Sequence, residues 1–210
     1  MQTTIFLNGT IPRGLIVEKC ISGKSYIIAA DGGANYLNKK KILPNIIIGD
    51  LDSISENSLK YFKSKKVIIE KIEDQDTTDF EKCLLFCFKK KLINIIVLGA
   101  TGTRPDHTLN NFSVLKRYSD RLNIKLIENE FEIFFIKKKI KFKYKTNETV
   151  SFLGLPKATD IKTEGLEYQL KGEDLEFGIR EGTLNKSLSD SVTISYDSGS
   201  ILLFKKHFIK

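Results

Sequence analysis

The change in hydrophobic period near residue 130 constrains this chain more than any other feature. Upstream of it, six short apolar runs at 3–7, 26–30, 45–48, 67–70, 93–98 and 124–127 read as buried strands. Helical patterns lie between them. Ser53 and Glu56 have the spacing of a capping box ahead of a helix over 55–62. Phe80, Cys83, Leu84, Cys87 and Phe88 form a stripe at helical spacing over 79–90, and Leu109, Phe112 and Leu115 form another. Strand–helix alternation of this kind builds a mainly parallel α/β sheet. Downstream, residues 140–145 (IKFKYK) and 149–153 alternate with period two. The segments 191–196 and 200–204 flank Asp197-Ser198-Gly199, which reads as a hairpin loop. The expected organisation is an α/β domain over 1–130 with a parallel, Rossmann-like sheet. A small all-β sandwich over 131–210 follows it.

With 41% apolar residues and only four prolines, the chain has enough for packed cores and little for a flexible linker. No apolar run reaches the roughly 18–20 residues of a membrane span, and residues 1–10 do not resemble a signal peptide. Cys83 and Cys87, four apart on an apolar face, suit buried free thiols, and the expected location is cytoplasmic. The net charge of +8 raises nucleic acid as a partner, but lysine supplies 29 of the 34 basic residues and arginine five. Readers of bases and phosphates rely on arginine forks, whereas these lysines scatter in short runs such as 39–41, 89–91 and 137–139. They read as solvated surface, with no nucleic-acid or membrane partner.

Position is the informative property of the polar residues. Asn8-Gly9 follows the first predicted strand, Asp31-Gly32-Gly33 the second and Gly49-Asp50-Leu51-Asp52-Ser53 the third. Residues 74–79 come soon after the fourth, and 99–107 follow the fifth. In an open parallel sheet the carboxyl ends of the strands share one edge, where ligands bind. Asp50 and Asp52, two apart in an extended stretch, face the same side. Asp76 and Asp79 bracket Thr77-Thr78 at the start of a helix. Four clustered carboxylates repel one another unless a cation neutralises them, and an all-oxygen donor set favours Mg²⁺ or Mn²⁺.

The loop Gly99-Ala-Thr-Gly102-Thr-Arg104-Pro-Asp106-His107 brings glycines that allow close backbone approach and an arginine whose planar fork suits phosphate. Asp106 has two available roles, helix cap or partner that orients Arg104, and His107 reads as a supporting donor. Asp31-Gly32-Gly33-Ala34-Asn35 reads as a turn into a helix, whose N-terminus favours anions. Neither GxxxxGK[ST] nor GxGxxG occurs, so the common mononucleotide and dinucleotide scaffolds are not indicated.

Together the blocks Ala30–Asn35, Gly49–Ser53, Asp76–Asp79 and Gly102–His107 resemble thiamine pyrophosphokinase in order and spacing. The resemblance implies transfer of diphosphate from ATP to the hydroxyl of thiamine, with AMP released. It implies a homodimer, with thiamine between the α/β domain of one subunit and the sandwich of the other. Asp50, Asp52, Asp76 and Asp79 would hold Mg²⁺ on the phosphates and, with Arg104, carry catalysis. Asp31, Gly32, Asn35, Gly102, Arg104, Asp106 and His107 would line the ATP site, and Asn185 and Asp79 would meet thiamine. The family's Ser-Asn pair is Leu184-Asn185 here, and no tryptophan is present to stack on thiamine, which leaves Tyr168 or Phe177 as candidate rings. The rival reading is a Mg²⁺-dependent hydrolase of nucleoside diphosphate linkages, using the same aspartates with water as the attacking group.

Overall fold

The structure, a computed structural model, describes residues 1–102 and 104–209. The chain forms two compact units, Met1–Asn129 with Ile209–Lys210, and Glu130–Phe208. The fold is mixed, a parallel sheet with helices followed by antiparallel strands.

In the first unit β1 (Gln2–Phe6), α1 (Gly14–Cys20), β2 (Tyr26–Ala30), α2 (Gly33–Lys40), β3 (Ile46–Gly49) and α3 (Glu56–Ser64) follow one another. Next come β4 (Ile68–Lys71), α4 (Asp79–Lys89), β5 (Asn94–Leu98), α5 (Pro105–Tyr118) and β6 (Asn123–Ile127). The strands lie in the order β4-β3-β2-β1-β5-β6 and pair in parallel. Ile5 and Phe6 of β1, Ile28 and Ala29 of β2, and Val97 and Leu98 of β5 are all buried, so successive residues make the middle strands apolar on both faces, as a covered sheet requires. Strand order reverses between β1 and β5, the switch point where such sheets open a crevice. The helices bury Leu37, Phe62, Cys83, Leu84 and Leu115. All three cysteines are free and buried, and burial pushes the Cys20 thiol up to about 11 and that of Cys87 to about 12.

One local expectation fails. The cap of α3 is Ser55, whose hydroxyl accepts from the Ser58 amide at 3.2 Å, and not Ser53. The Ser53 hydroxyl donates instead to Asp52 Oδ1 at 2.7 Å, so the site loop claims the residue the helix was expected to use.

The second unit contains β7 (Phe131–Ile136), β8 (Lys139–Lys143), β9 (Thr149–Glu164), β10 (Lys171–Glu176), β11 (Gly182–Lys186), β12 (Ser191–Ser195) and β13 (Ser198–Lys206). The long strand β9 is its axis. Along one edge run β12 and β13 in a single register: Thr193 opposite Glu164, Ser195 opposite Lys162, Ser198 opposite Thr159 and Gly199 opposite Ala158. Along the other run β10 and β11, and beyond β12 and β13 lie β8 and β7. The β12–β13 run is therefore a long strand interrupted near its middle. Phe152 and Leu203 from one half share a hydrophobic core with Ile161 and Val192 from the other.

This overturns the expected hairpin at 197–199. Asp197 continues the pairing by donating its amide to Thr159 O at 2.9 Å, so the chain passes straight through. A Cβ on Gly199 would lie 2.0 Å from Lys157 O. The glycine serves close approach to β9, not a reversal of direction.

Candidate active site

All the site-forming loops of the first unit leave the carboxyl ends of its strands and line one cleft of about 650 Å³. The loops after β1 and β5 are laced together, since Gly9 N donates to Gly99 O at 3.0 Å and Thr10 N to Thr101 O at 2.7 Å. Any side chain at position 9 would collide with both carbonyls, its Cβ 2.3 Å from Thr101 O. Asn111 of α5 ties the same loop from below, donating to Ala100 O at 2.7 Å.

Asp31 begins the loop after β2 in a left-handed conformation (φ 38°) and is buried. Its Oδ2 accepts from the Ser53 amide at 2.9 Å and its Oδ1 from the Ile54 amide at 3.0 Å. One carboxylate thus pins the loop that carries Asp50 and Asp52. Burial pushes its carboxyl up to about 6 against the pull of the Ser53 amide, and the charge of Asp79 adds to the rise. Asp52, hydrogen-bonded by the Ser53 hydroxyl, is held below its ordinary value.

Asp79 is the first residue of α4, whose N-cap Thr78 accepts from the Glu81 amide. Burial raises the Asp79 carboxyl. A hydrogen bond from Lys82 Nζ at 3.2 Å opposes the rise, and the charges of Asp50 and Asp52 reinforce it. Asp31, Asp50 and Asp79 each place a carboxylate oxygen within 4.8 Å of the others. Three oxygen donors from three elements, with no thiolate or imidazole among them, match the demands of a hard divalent cation.

Of the four expected carboxylates the triad keeps Asp50 and Asp79, and it takes Asp31 in place of Asp52 and Asp76. Asp50, Asp52 and Asp79 line the cleft, whereas Asp76 is exposed and lies off its lining. Asp31, expected beside the nucleotide, is the residue that closes the triad. Gly32, Gly102, Arg104, Asp106 and His107 all line the cleft. Thr103, part of the motif at 102–107, lies outside the described residues. The Arg104 guanidinium forks onto Asp106, Nε to Oδ1 at 2.9 Å and Nη2 to Oδ2 at 2.6 Å, which settles Asp106 as the partner that orients it. That pair holds the Asp106 carboxyl far below the usual range. Asn35 stands off the lining, its Oδ1 accepting from the Ser55 amide and its Nδ2 donating to Ser53 O.

Asn185 lies in the second unit at a cavity of about 170 Å³ that Tyr168 also lines. It is buried, and its Oδ1 accepts from the Tyr168 and Lys186 amides while its Nδ2 donates to Tyr168 O at 2.7 Å. Tyr168 and Phe177 are both largely exposed, and Phe177 does not line that cavity. Sequence reasoning missed Lys82, which is buried and lines the cleft. Nothing in the pattern Asp-Phe-Glu-Lys-Cys marks it, beyond a charge set inside an apolar stripe.

Residues 17–127 match a family model described as the thiamin pyrophosphokinase catalytic domain. The chain belongs to the thiamin pyrophosphokinase family. Residues 137–201 match a second model, the vitamin B1 binding domain of thiamin pyrophosphokinase. Thiamin pyrophosphokinase 1 of Caenorhabditis elegans is 29% identical over 217 residues, covering 95% of this chain and 86% of that one. Thiamine pyrophosphokinase 1 of rice is 29% identical over 203 residues, covering 83% and 76%. Among solved structures, thiamine pyrophosphokinase from Bacillus subtilis superposes with a TM-score of 0.86 at 21% identity, over 98% of this chain and 99% of that chain. The yeast enzyme gives 0.84 at 23%, over 98% and 85%. At these identities the superpositions speak to the fold, while the two models carry the family.

Proposed function

We propose that the cleft transfers the terminal diphosphate of ATP to the hydroxyl of thiamine, giving thiamine diphosphate and AMP. The observation that carries this reading is the convergence of Asp31, Asp50 and Asp79 at one point of a cleft in a chain of this family. The oxygen-only donors fit Mg²⁺, which Asp50 and Asp79 would hold with Asp52 beside them. Bound there, the ion would neutralise triphosphate charge and polarise the phosphoryl oxygens.

The chain's own residues supply position and field. Asp31 fixes the loop of Asp50 and Asp52 through two backbone amides, so the carboxylates are preorganised before substrate arrives. Arg104, steadied by Asp106, presents its remaining N–H donors to phosphate, and Gly32, Gly102 and His107 border the nucleotide. The thiamine oxygen attacks the β-phosphorus in line. The bond to the α,β-bridging oxygen breaks, its electron pair leaves with AMP, and a carboxylate of the cluster takes the alcohol proton.

In this reading the first unit is the Rossmann-like catalytic domain and the second is a thiamine-binding β-sandwich. Two chains pair so that Asn185 of one and Asp79 of the other border one thiamine. The direct test is incubation with ATP, Mg²⁺ and thiamine. AMP and thiamine diphosphate in equal amounts are expected. AMP formed at the same rate without thiamine would favour a hydrolase instead. Among the described residues no helix is long and apolar enough to cross a membrane.

A further inference from the structure

Lys82 and its neighbour Glu81 are both buried charges in the first turns of α4, and the protein treats them differently. Burying a charged group costs several kcal/mol unless partners complete its shell. For Glu81 they do. Its two oxygens accept from Arg117 Nη1 at 2.8 and 3.0 Å, and Oε1 also accepts from the Tyr118 hydroxyl at 3.0 Å. That carboxylate is a tie between α4 and α5.

Lys82 has no such shell. Its side chain is 3% exposed, and its one hydrogen bond among the described residues runs to Asp79 Oδ1 at 3.2 Å. An ammonium has three N–H donors, which leaves two without a protein acceptor. Lys82 nevertheless lines the cleft, beside the point where Asp31, Asp50 and Asp79 converge. Arg104, by contrast, is 65% exposed and already matched by Asp106.

We infer that Lys82 is a catalytic residue that contacts the nucleotide, its two free N–H donors binding phosphate oxygens of the triphosphate. The inference rests on the diphosphate-transfer reading of the cleft. Lys82 acts through its charge and its donors. It gives up no proton and forms no bond, and it offsets charge as the electron pair moves onto the oxygen leaving with AMP. Its salt bridge keeps Asp79 in place while phosphate completes the shell that the protein leaves open.

The test uses the full chain with Lys82→Met, Lys82→Gln and Lys82→Arg. Calorimetry measures binding of an ATP analogue with a methylene group in place of the α,β-bridging oxygen, in the presence of Mg²⁺. Kinetics give KM and kcat for each substrate. Lys82→Met and Lys82→Gln are expected to bind the analogue at least about tenfold more weakly and to lose about a hundredfold in kcat/KM for ATP, the scale of a lost electrostatic contact. The KM for thiamine should stay within about twofold, and Lys82→Arg should regain part of the analogue affinity. Analogue binding within about twofold of wild type in the neutral variants would overturn the role, as would a rise in the KM for thiamine as large as that for ATP.

If the neutral variants do not fold, carbamylation of the wild-type chain by cyanate decides the matter, read at Lys82 by mass spectrometry with and without the analogue. Protection is expected, and equal labelling would overturn the role. A wild type that binds the analogue yet makes no thiamine diphosphate would defeat the transfer reading alone.

Discussion

Asp31 in the first unit and Asn185 in the second are both buried polar residues that grip the backbone: both Asp31 oxygens accept from amides, whereas Asn185 accepts from two amides with Oδ1 and donates to a carbonyl with Nδ2. Their surroundings set them apart. Asn185 meets only neutral partners, so its shell is nearly complete and burial has little left to exact. Asp31 carries charge, and Asp79 and Asp50 stand beside it. The backbone satisfies its hydrogen bonds without relieving the repulsion. Saturated polar burial shapes a loop, whereas saturated burial next to like charge creates a demand for a cation. The second arrangement is a site in waiting, and the first is chiefly architecture.

The largest consequence falls on the acidic set. Asp50→Asn removes the one charge of the triad whose oxygens are not held by a buried backbone amide or by Lys82. Turnover should drop by at least about a hundredfold while the melting temperature stays close to wild type. Steady-state rates of AMP formation and a thermal melt check both halves. Near-normal turnover in the purified variant would break the comparison at its stronger end.

Asn185→Ala tests the other end. It leaves the Tyr168 amide and carbonyl and the Lys186 amide without a partner inside the second unit. The expected loss is about 1–3 kcal/mol of stability, seen as a melting point lower by several degrees. The side chain keeps one N–H beyond its bond to Tyr168 O, enough for one contact to thiamine. A variant with an unchanged melt and a raised KM for thiamine would move Asn185 from architecture to recognition.

What the sequence made legible follows the same division. The strand ends and their polar clusters were readable because a buried parallel strand is an apolar run and its loop is not. That Asp50, Asp52 and Asp79 share one cleft was readable because carboxylates repeat at short spacing after those strands. Asp31 was expected beside the nucleotide and not among the clustered carboxylates, since its bonds to Ser53 and Ile54 join segments more than twenty residues apart. Lys82 was invisible because burial of the first turns of α4 depends on packing that a local pattern does not encode. The false hairpin at 197–199 has a like cause. Asp-Ser-Gly suits a reversal, but the register along β9 carries the chain onward.

A smaller effect separates charge from hydrogen bonding at Asp31. Its folded carboxyl titrates near 6 against 3.8 for the free group, chiefly through burial. The folded state therefore binds the proton more tightly, and that contribution to stability is complete below about pH 4 and lost as pH rises through 6. Asp31→Asn cannot titrate. With divalent cations chelated, the melting point of wild type relative to the variant should fall across that window. The change should be on the order of 1 kcal/mol, or roughly 2–4 °C, after allowing for solvent at the cleft. A flat difference from pH 4 to 6.5 would mean that burial and the charge of Asp79 do not raise this carboxyl.

The smallest effect belongs to charges outside both regions. Lys39, Lys40 and Lys41 close α2, where cations favour the helix dipole by about 0.3–1 kcal/mol each at most. Lys41 adds a hydrogen bond to Asn38 Oδ1 at 3.3 Å, and its ammonium lies 4.5 Å from the centre of the Tyr61 ring. None of the three lines the cleft. Replacing all three by Gln should change kcat/KM for ATP by less than about twofold, because the surface field they add is screened within roughly 10 Å at ordinary salt. The melt should drop slightly, and the drop should shrink as salt is raised. A loss of activity as large as that of Asp50→Asn would show that net positive charge, and not the arrangement of a few buried groups, is what draws ATP to this edge of the sheet.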